Sequence, residues 1–167
     1  MDIQQILSQM KGHAQAIRSL VEGCSAEQAR WKPDAASWSM LEVLNHLLDE
    51  EREDFRARIA MVLQAGAWFR INPGGWVTER AYNDQELGPS LEAFLAARAE
   101  SLEWLVGLGE VDWSTAFQAP FGTIRAGDFL ASWAAHDVLH LRQLVELRWA
   151  YLVRAAEPYE VEYAGEW

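Results

Sequence analysis

Four stretches of this chain repeat apolar residues at helical spacing, and each is bounded by residues that start or stop helices. The first runs from about Asp2 to Glu22, where Ile3, Ile6, Leu7, Met10, Ala14, Ile17 and Val21 form one stripe that ends at Gly23. The second opens at Ser39-Met40-Leu41-Glu42, a capping box in which hydroxyl and carboxylate satisfy orphan amides while Trp38 staples onto Val43, and is predicted to reach Gln64. The third, capped by Ser90 after Gly88-Pro89, carries Leu91, Phe94, Leu95, Leu102 and Leu105 to about Val106. The fourth begins near Gly127-Asp128 and continues to about Leu152. With no long strand pattern, the chain is expected to be all-α, a four-helix bundle with antiparallel or mixed directions, folded as a single domain over residues 1–167. Between the second and third helices lies a long aromatic connector, Ala65 to Leu87. It is read either as a flap sealing the bundle end or as a cover for a substrate. Ser114 to Arg125, around Pro120 and Gly122, is predicted to form a small hairpin. The tail alternates Tyr159, Val161 and Tyr163 with Glu160 and Glu162, the period of a strand or extended arm.

The fourth helix carries the chemistry. Phe129, Trp133, His136, His140, Leu144, Leu147 and Tyr151 fall on one narrow arc, so both histidines of His136-x-x-x-His140 face the core. Two imidazoles four residues apart can share a metal ion or must find hydrogen bonds. A protein-bound metal usually has at least three side-chain ligands, and His46, on the flank of the second helix, completes a three-nitrogen set if the second and fourth helices are neighbours. Near His46, Glu50 is the first candidate for a general acid or base, with Asp54 a turn further on. Glu50, Glu51, Glu53 and Asp54 otherwise read as a solvated acidic strip paired with Arg52, Arg56 and Arg58, although Glu51 and Asp54 fall inside the apolar arc. Gln143 is either a partner of a ligand or a core hydrogen bonder. His13 reads as a structural or surface residue, and Cys24 as a small, partly buried one with no local cationic cluster to activate it.

Three features together resemble the DinB/YfiT-like superfamily of metalloenzymes. They are Trp38-Ser39-x-x-Glu42-Val43-Leu44-x-His46-Leu47, the following Asp49-Glu50, and His136-x-x-x-His140 with Gln143 after it. The run Glu27-Gln28-x-x-Trp31-x-Pro33 extends the resemblance to essentially the whole chain. It implies an up-down-down-up bundle holding a divalent metal, zinc or nickel, on His46, His136 and His140. It also implies a small-molecule substrate handled by thiol-dependent S-transfer, with a low-molecular-weight thiol, or by hydrolysis. A homodimer is a further expectation. The competing expectation is a non-catalytic module that binds a metal or ligand.

Charge and composition narrow the partners. The net charge of −11 opposes both the phosphate backbone and anionic lipid, so neither nucleic acid nor membrane is an expected partner. Met1 to Ile6 lacks the basic and apolar regions of a signal peptide, and the one cysteine cannot form an internal disulfide; a cytoplasmic location is expected. No Gly-rich phosphate loop or serine nucleophile elbow is present in the sequence.

Overall fold

The computed structural model describes residues 2–165. The helices are α1 (Ile3–Val21), α2 (Ala26–Arg30), α3 (Met40–Glu53), α4 (Phe55–Leu63), α5 (Pro73–Glu79), α6 (Leu87–Gly107) and α7 (Ala126–Ala156), with a hairpin of β1 (Ala116–Ala119) and β2 (Gly122–Arg125) before α7. The bundle consists of α1, the pair α3–α4, α6 and α7. Cross-helix contacts give their directions. Asn45 meets Ser90 and Glu51 meets Arg98, so α3 and α6 are parallel. Met10 meets Arg98 and Arg18 meets Glu92, so α1 opposes α6. His13 meets Asp137 and Cys24 meets Arg148, placing α1 alongside α7 in the same sense, whereas His46 to His136 and Phe55 to Trp133 run opposite ways along α3–α4 and α7. The order is up-down-down-up.

That topology explains the long connector. A parallel α3–α4 and α6 oblige the chain to travel back along the bundle, a return of about 35 Å for two dozen helical residues. Residues 64–86 make this passage, and two arginines clamp them to the bundle. Arg58 of α4 donates to the Phe69 carbonyl at 2.7 Å, and its guanidinium lies 3.9 Å from the Trp68 ring and 4.1 Å from that of Phe69. Arg80 reaches back to Asp49 and Glu53, both at 2.6 Å, and covers Trp76 at 4.1 Å. Tyr82 also donates to Asp49. Trp76, Val77 and Tyr82 thereby bury a small apolar cluster of their own.

Several local expectations are met. The first helix begins where expected, with Asp2 accepting from Gln5 N–H as its cap, and the Ser39 box closes both ways, Ser39 N–H donating to Glu42 Oε2 at 2.8 Å and Glu42 N–H to Ser39 Oγ at 3.1 Å. The hairpin pairs Ala116 with Arg125 through Ala119 with Gly122, whose φ of +131° a side chain would strain.

Others are corrected. The second helix is not continuous to Gln64 but breaks at Asp54 (φ −119°, ψ −91°), whose carboxylate receives Arg58 Nε at 2.8 Å. Ser90 is not the cap of the third helix. That helix starts one turn earlier at Leu87, because Pro89 sits in the first turn, where a missing N–H costs nothing, and the Ser90 hydroxyl donates to Asn45 Oδ1 at 3.1 Å instead. Among the described residues the tail forms no strand: Glu162–Ala164 is a 3-10 turn, and Tyr159 and Tyr163 are exposed. Glu166 and Trp167 lie outside the described residues.

Candidate metal centre

α3 is the central helix: every residue from Met40 to Glu51 is buried, because α6, α7, α5 and the α2 region pack around it. Of the acidic run, Glu53 is exposed as a solvated strip requires, but Glu50 and Glu51 are not. Asp49, Glu50 and Glu51 are all buried, and the cations that pair with the acidic groups come largely from elsewhere in sequence: Arg80 with Asp49 and Glu53, Arg98 with Glu51. Of the local pairings expected, Arg58 with Asp54 is present, while Arg56 lies near Glu100.

His46 is 5% exposed on α3 and meets the two histidines of α7. Its Nε2 stands 3.3 Å from His136 Nε2, which stands 3.1 Å from His140 Nε2. One ligand atom from each ring falls within 4.8 Å of the others, and this is the one such group of three or more His, Cys, Asp or Glu among the described residues. Aromatic walls hold the rings: Phe55 against His136 (centroids 5.2 Å), Trp38 edge-on to His46 (4.9 Å) and parallel to His140 (6.3 Å). Gln143 does bond to a histidine of the cluster, with Oε1 2.8 Å from His140 Nδ1. An N–H at Nδ1 donating to that oxygen leaves the Nε2 lone pair of His140 aimed at the cluster.

The electrostatics favour neutral rings. Burial, then the positive charge the neighbouring rings would carry, pushes His46 down to about 3. Burial and His140 push His136 down to about 4. His140 is lowered by burial, against the pull of Gln143. At neutral pH all three are unprotonated donors, the state a metal requires. The spacing fits too: metal–nitrogen bonds of about 2.0–2.1 Å at a tetrahedral angle place two nitrogens about 3.3–3.4 Å apart. Nδ1 of His46 and Nδ1 of His136 are buried with no hydrogen-bond partner, so the rings are not held by a closed polar network of their own.

Glu50 lies beside the cluster on the far edge of the His46 ring, Oε1 3.8 Å from Nδ1 and without a hydrogen bond. Burial, with Asp54 and Asp49 nearby, raises its carboxyl to about 8. His13 stands outside the cluster, 3.2 Å from Asp137. Cys24 does have a cationic neighbour that its local sequence does not announce: Arg148 Nη1, 2.8 Å from Sγ.

Beside the histidines lies a second polar cluster. Arg98 of α6, 1% exposed, donates to Glu51 of α3 through Nε (2.8 Å) and Nη2 (2.5 Å), and to both oxygens of Asp137 on α7 at 2.7 Å. Trp133 Nε1 donates to the same Glu51 oxygen at 2.8 Å, and Arg98 Nη1 also reaches the Met10 carbonyl at 3.0 Å. The signal for it was available: Leu91, Phe94, Arg98, Leu102 and Leu105 share one helical stripe, with the arginine at its centre.

The DinB superfamily profile matches residues 9–144, and the chain belongs to this superfamily. Among solved structures, it is similar to YfiT from Bacillus subtilis, described as a probable metal-dependent hydrolase with an unusual four-helix bundle topology. The TM-score is 0.75 at 16% identity, over 86% of this chain and 84% of that one, a likeness of fold. No curated protein matches the sequence.

Proposed function

We propose that this chain is a divalent-metal-dependent enzyme acting on a small molecule, by thiol-dependent S-transfer or by hydrolysis, with His46, His136 and His140 as the metal ligands. The observation that carries the reading is the convergence of three imidazoles from two helices, with Nε2 spacings of 3.3 and 3.1 Å. A divalent ion bound there supplies Lewis acidity, which lowers the pKa of water or of a thiol toward neutrality. Three protein donors leave a coordination position for an exchangeable molecule, the pattern of catalytic rather than structural sites. Gln143 holds the His140 tautomer, and Trp38 and Phe55 limit how far the rings can turn. Glu50, whose Oε1 lies 3.8 Å from His46 Nδ1, is the acid–base group of this reading. The described similarity of fold to a probable metal-dependent hydrolase supports the same class.

Elemental mass spectrometry on untagged protein tests the reading, comparing wild type with His136→Ala and His140→Ala. Near-stoichiometric zinc or nickel, lost in both variants, is expected, and turnover of electrophiles with and without added thiol then separates transfer from hydrolysis. A wild-type protein that is metal-free and refuses added zinc and nickel overturns it.

A further inference from the structure

We propose that Arg98 is the positioning residue of the histidine cluster: by clamping Glu51 of α3 and Asp137 of α7 in one planar fork, it fixes the register in which His46 meets His136 and His140. The proposal rests on the metal reading for what the cluster does, but not for how the cluster is assembled.

The three histidines come from two antiparallel helices that touch across the bundle, so their spacing depends on how far α3 and α7 slide or turn against each other. Apolar packing constrains such motion only loosely, since leucines and alanines interdigitate in more than one register. Arg98 constrains it directly. Its Nη1 and Nη2 grip both oxygens of Asp137, the residue next to His136, while Nε and Nη2 grip Glu51, just over one turn beyond His46. A guanidinium is a rigid plane with fixed donor directions, so two carboxylates bound to it have a fixed separation and a fixed angle. Trp133, one turn before His136 and Asp137, ties α7 to Glu51 a second time. The Met10 carbonyl and His13 bring α1 into the same cluster, so all four arms of the bundle are referenced to one point.

Burial makes the choice of residues informative. Arg98, Glu51 and Asp137 are 0–1% exposed, and removing charges from water at such depth is unfavourable enough that an apolar replacement often packs at least as stably. What an apolar trio would not supply is a unique register. Fixing register is the best-attested use of buried charge, and here the register decides whether three nitrogens converge.

The test uses the full chain with three variants. Arg98→Lys keeps the charge and loses the fork. The combination of Glu51→Gln, Arg98→Met and Asp137→Asn removes all three charges while leaving acceptors for Trp133 and His13. Val21→Ala truncates a buried residue on α1, which contributes no histidine to the cluster, and controls for general destabilisation. Cobalt(II) is the probe, read by titration and by its visible absorption band. Side-chain nitrogen spectra of the histidines in metal-free protein give a readout that needs no metal. We expect both Arg98 variants to weaken cobalt binding by about 10- to 100-fold, shift the band and alter the His46 and His136 resonances, with Val21→Ala showing none of these. Arg98 variants that fold and keep wild-type cobalt affinity and imidazole spectra overturn the proposal. A wild type that takes no cobalt, with imidazole spectra that still move in the Arg98 variants, overturns the metal reading and leaves the positioning role standing.

Discussion

Two polar clusters sit side by side in this core, and they solve the problem of buried polarity in opposite ways. Around Arg98, donors and acceptors are matched across four helices, and Glu51 Oε2 is the one oxygen of the two clamped carboxylates without a partner. Around His46, two ring nitrogens and a Glu50 oxygen have none among the described residues, and three Nε2 atoms converge with spacings of 3.3 and 3.1 Å. A group left unsatisfied at depth is unfavourable, so the second cluster makes physical sense as a site for something that binds it, and the first as the frame that holds it. The contrast implies that breaking the frame costs stability as well as binding, whereas substitutions in the site cost binding with little loss of stability.

The largest expected effect is therefore at Arg98. Replacing it alone by Met leaves Glu51 and Asp137 buried without their cation and should lower stability by about 3–5 kcal/mol in urea unfolding. His136→Leu in metal-free protein at pH 7 should change it by less than about 1 kcal/mol, since an unpartnered imidazole is exchanged for an apolar group of similar size. Equal losses in the two variants would erase the distinction.

Acid titration comes next. His46 and His136 have folded pKa values near 3 and 4, below the ordinary 6.5, so between those values and 6.5 the unfolded chain binds more protons. The histidines' contribution to metal-free stability should be full above about pH 6.5 and fall as pH drops, by up to roughly 1.4 kcal/mol per pH unit for each of the two. Asp137 adds to this at lower pH. Burial alone would raise its carboxyl, but His13 and Arg98 outweigh that and hold it below the usual range. His136→Leu should flatten the upper part of the curve. An unchanged curve would show that the rings are not desolvated.

Glu50 titrates in the opposite sense. Its carboxyl is raised from 4.5 to about 8, chiefly by burial, so its contribution is complete below pH 4.5 and is lost as pH rises through 8. Glu50→Gln should therefore stabilise metal-free protein at pH 8.5 by on the order of 2 kcal/mol relative to wild type, and little at pH 4.5. Destabilisation at pH 8.5 would mean that Glu50 belongs to the satisfied frame.

The contrast between the clusters also marks how far the sequence could be read. The site was legible because its signal is local and periodic: His136 and His140 share the arc of Phe129 and Trp133, and the Ser39 box fixes where α3 begins and so which way His46 faces. The frame was hidden because each carboxylate finds its partner far along the chain, Glu51 with Arg98 and Asp137 with Arg98, while Arg52 and Arg56 offered Glu51 nearer and misleading ones. The same distance concealed Arg148 from Cys24. Burial of α3 on every side follows from the parallel run of α3 and α6, a feature of topology that helical periodicity does not encode.

Gln143 gives the finest probe, because among the described residues it is the one polar side chain hydrogen-bonded to the histidine rings from outside the cluster. A proton on Nδ1 of His140 would be held by the Gln143 amide oxygen, which would leave the lone pair of Nε2 facing His46 and His136. Gln143→Leu removes that preference and leaves the ring in place against Trp38, so the protein should fold with nearly unchanged stability. Free to carry its proton on Nε2, His140 would then have to change tautomer before ligating. Zinc affinity should fall about tenfold, or about 1.4 kcal/mol, and Gln143→Glu, which restores an acceptor, should recover it. A Leu variant that unfolds more easily yet binds zinc as wild type would place Gln143 with Arg98 in the frame, and move the boundary between the two clusters one residue shell inward.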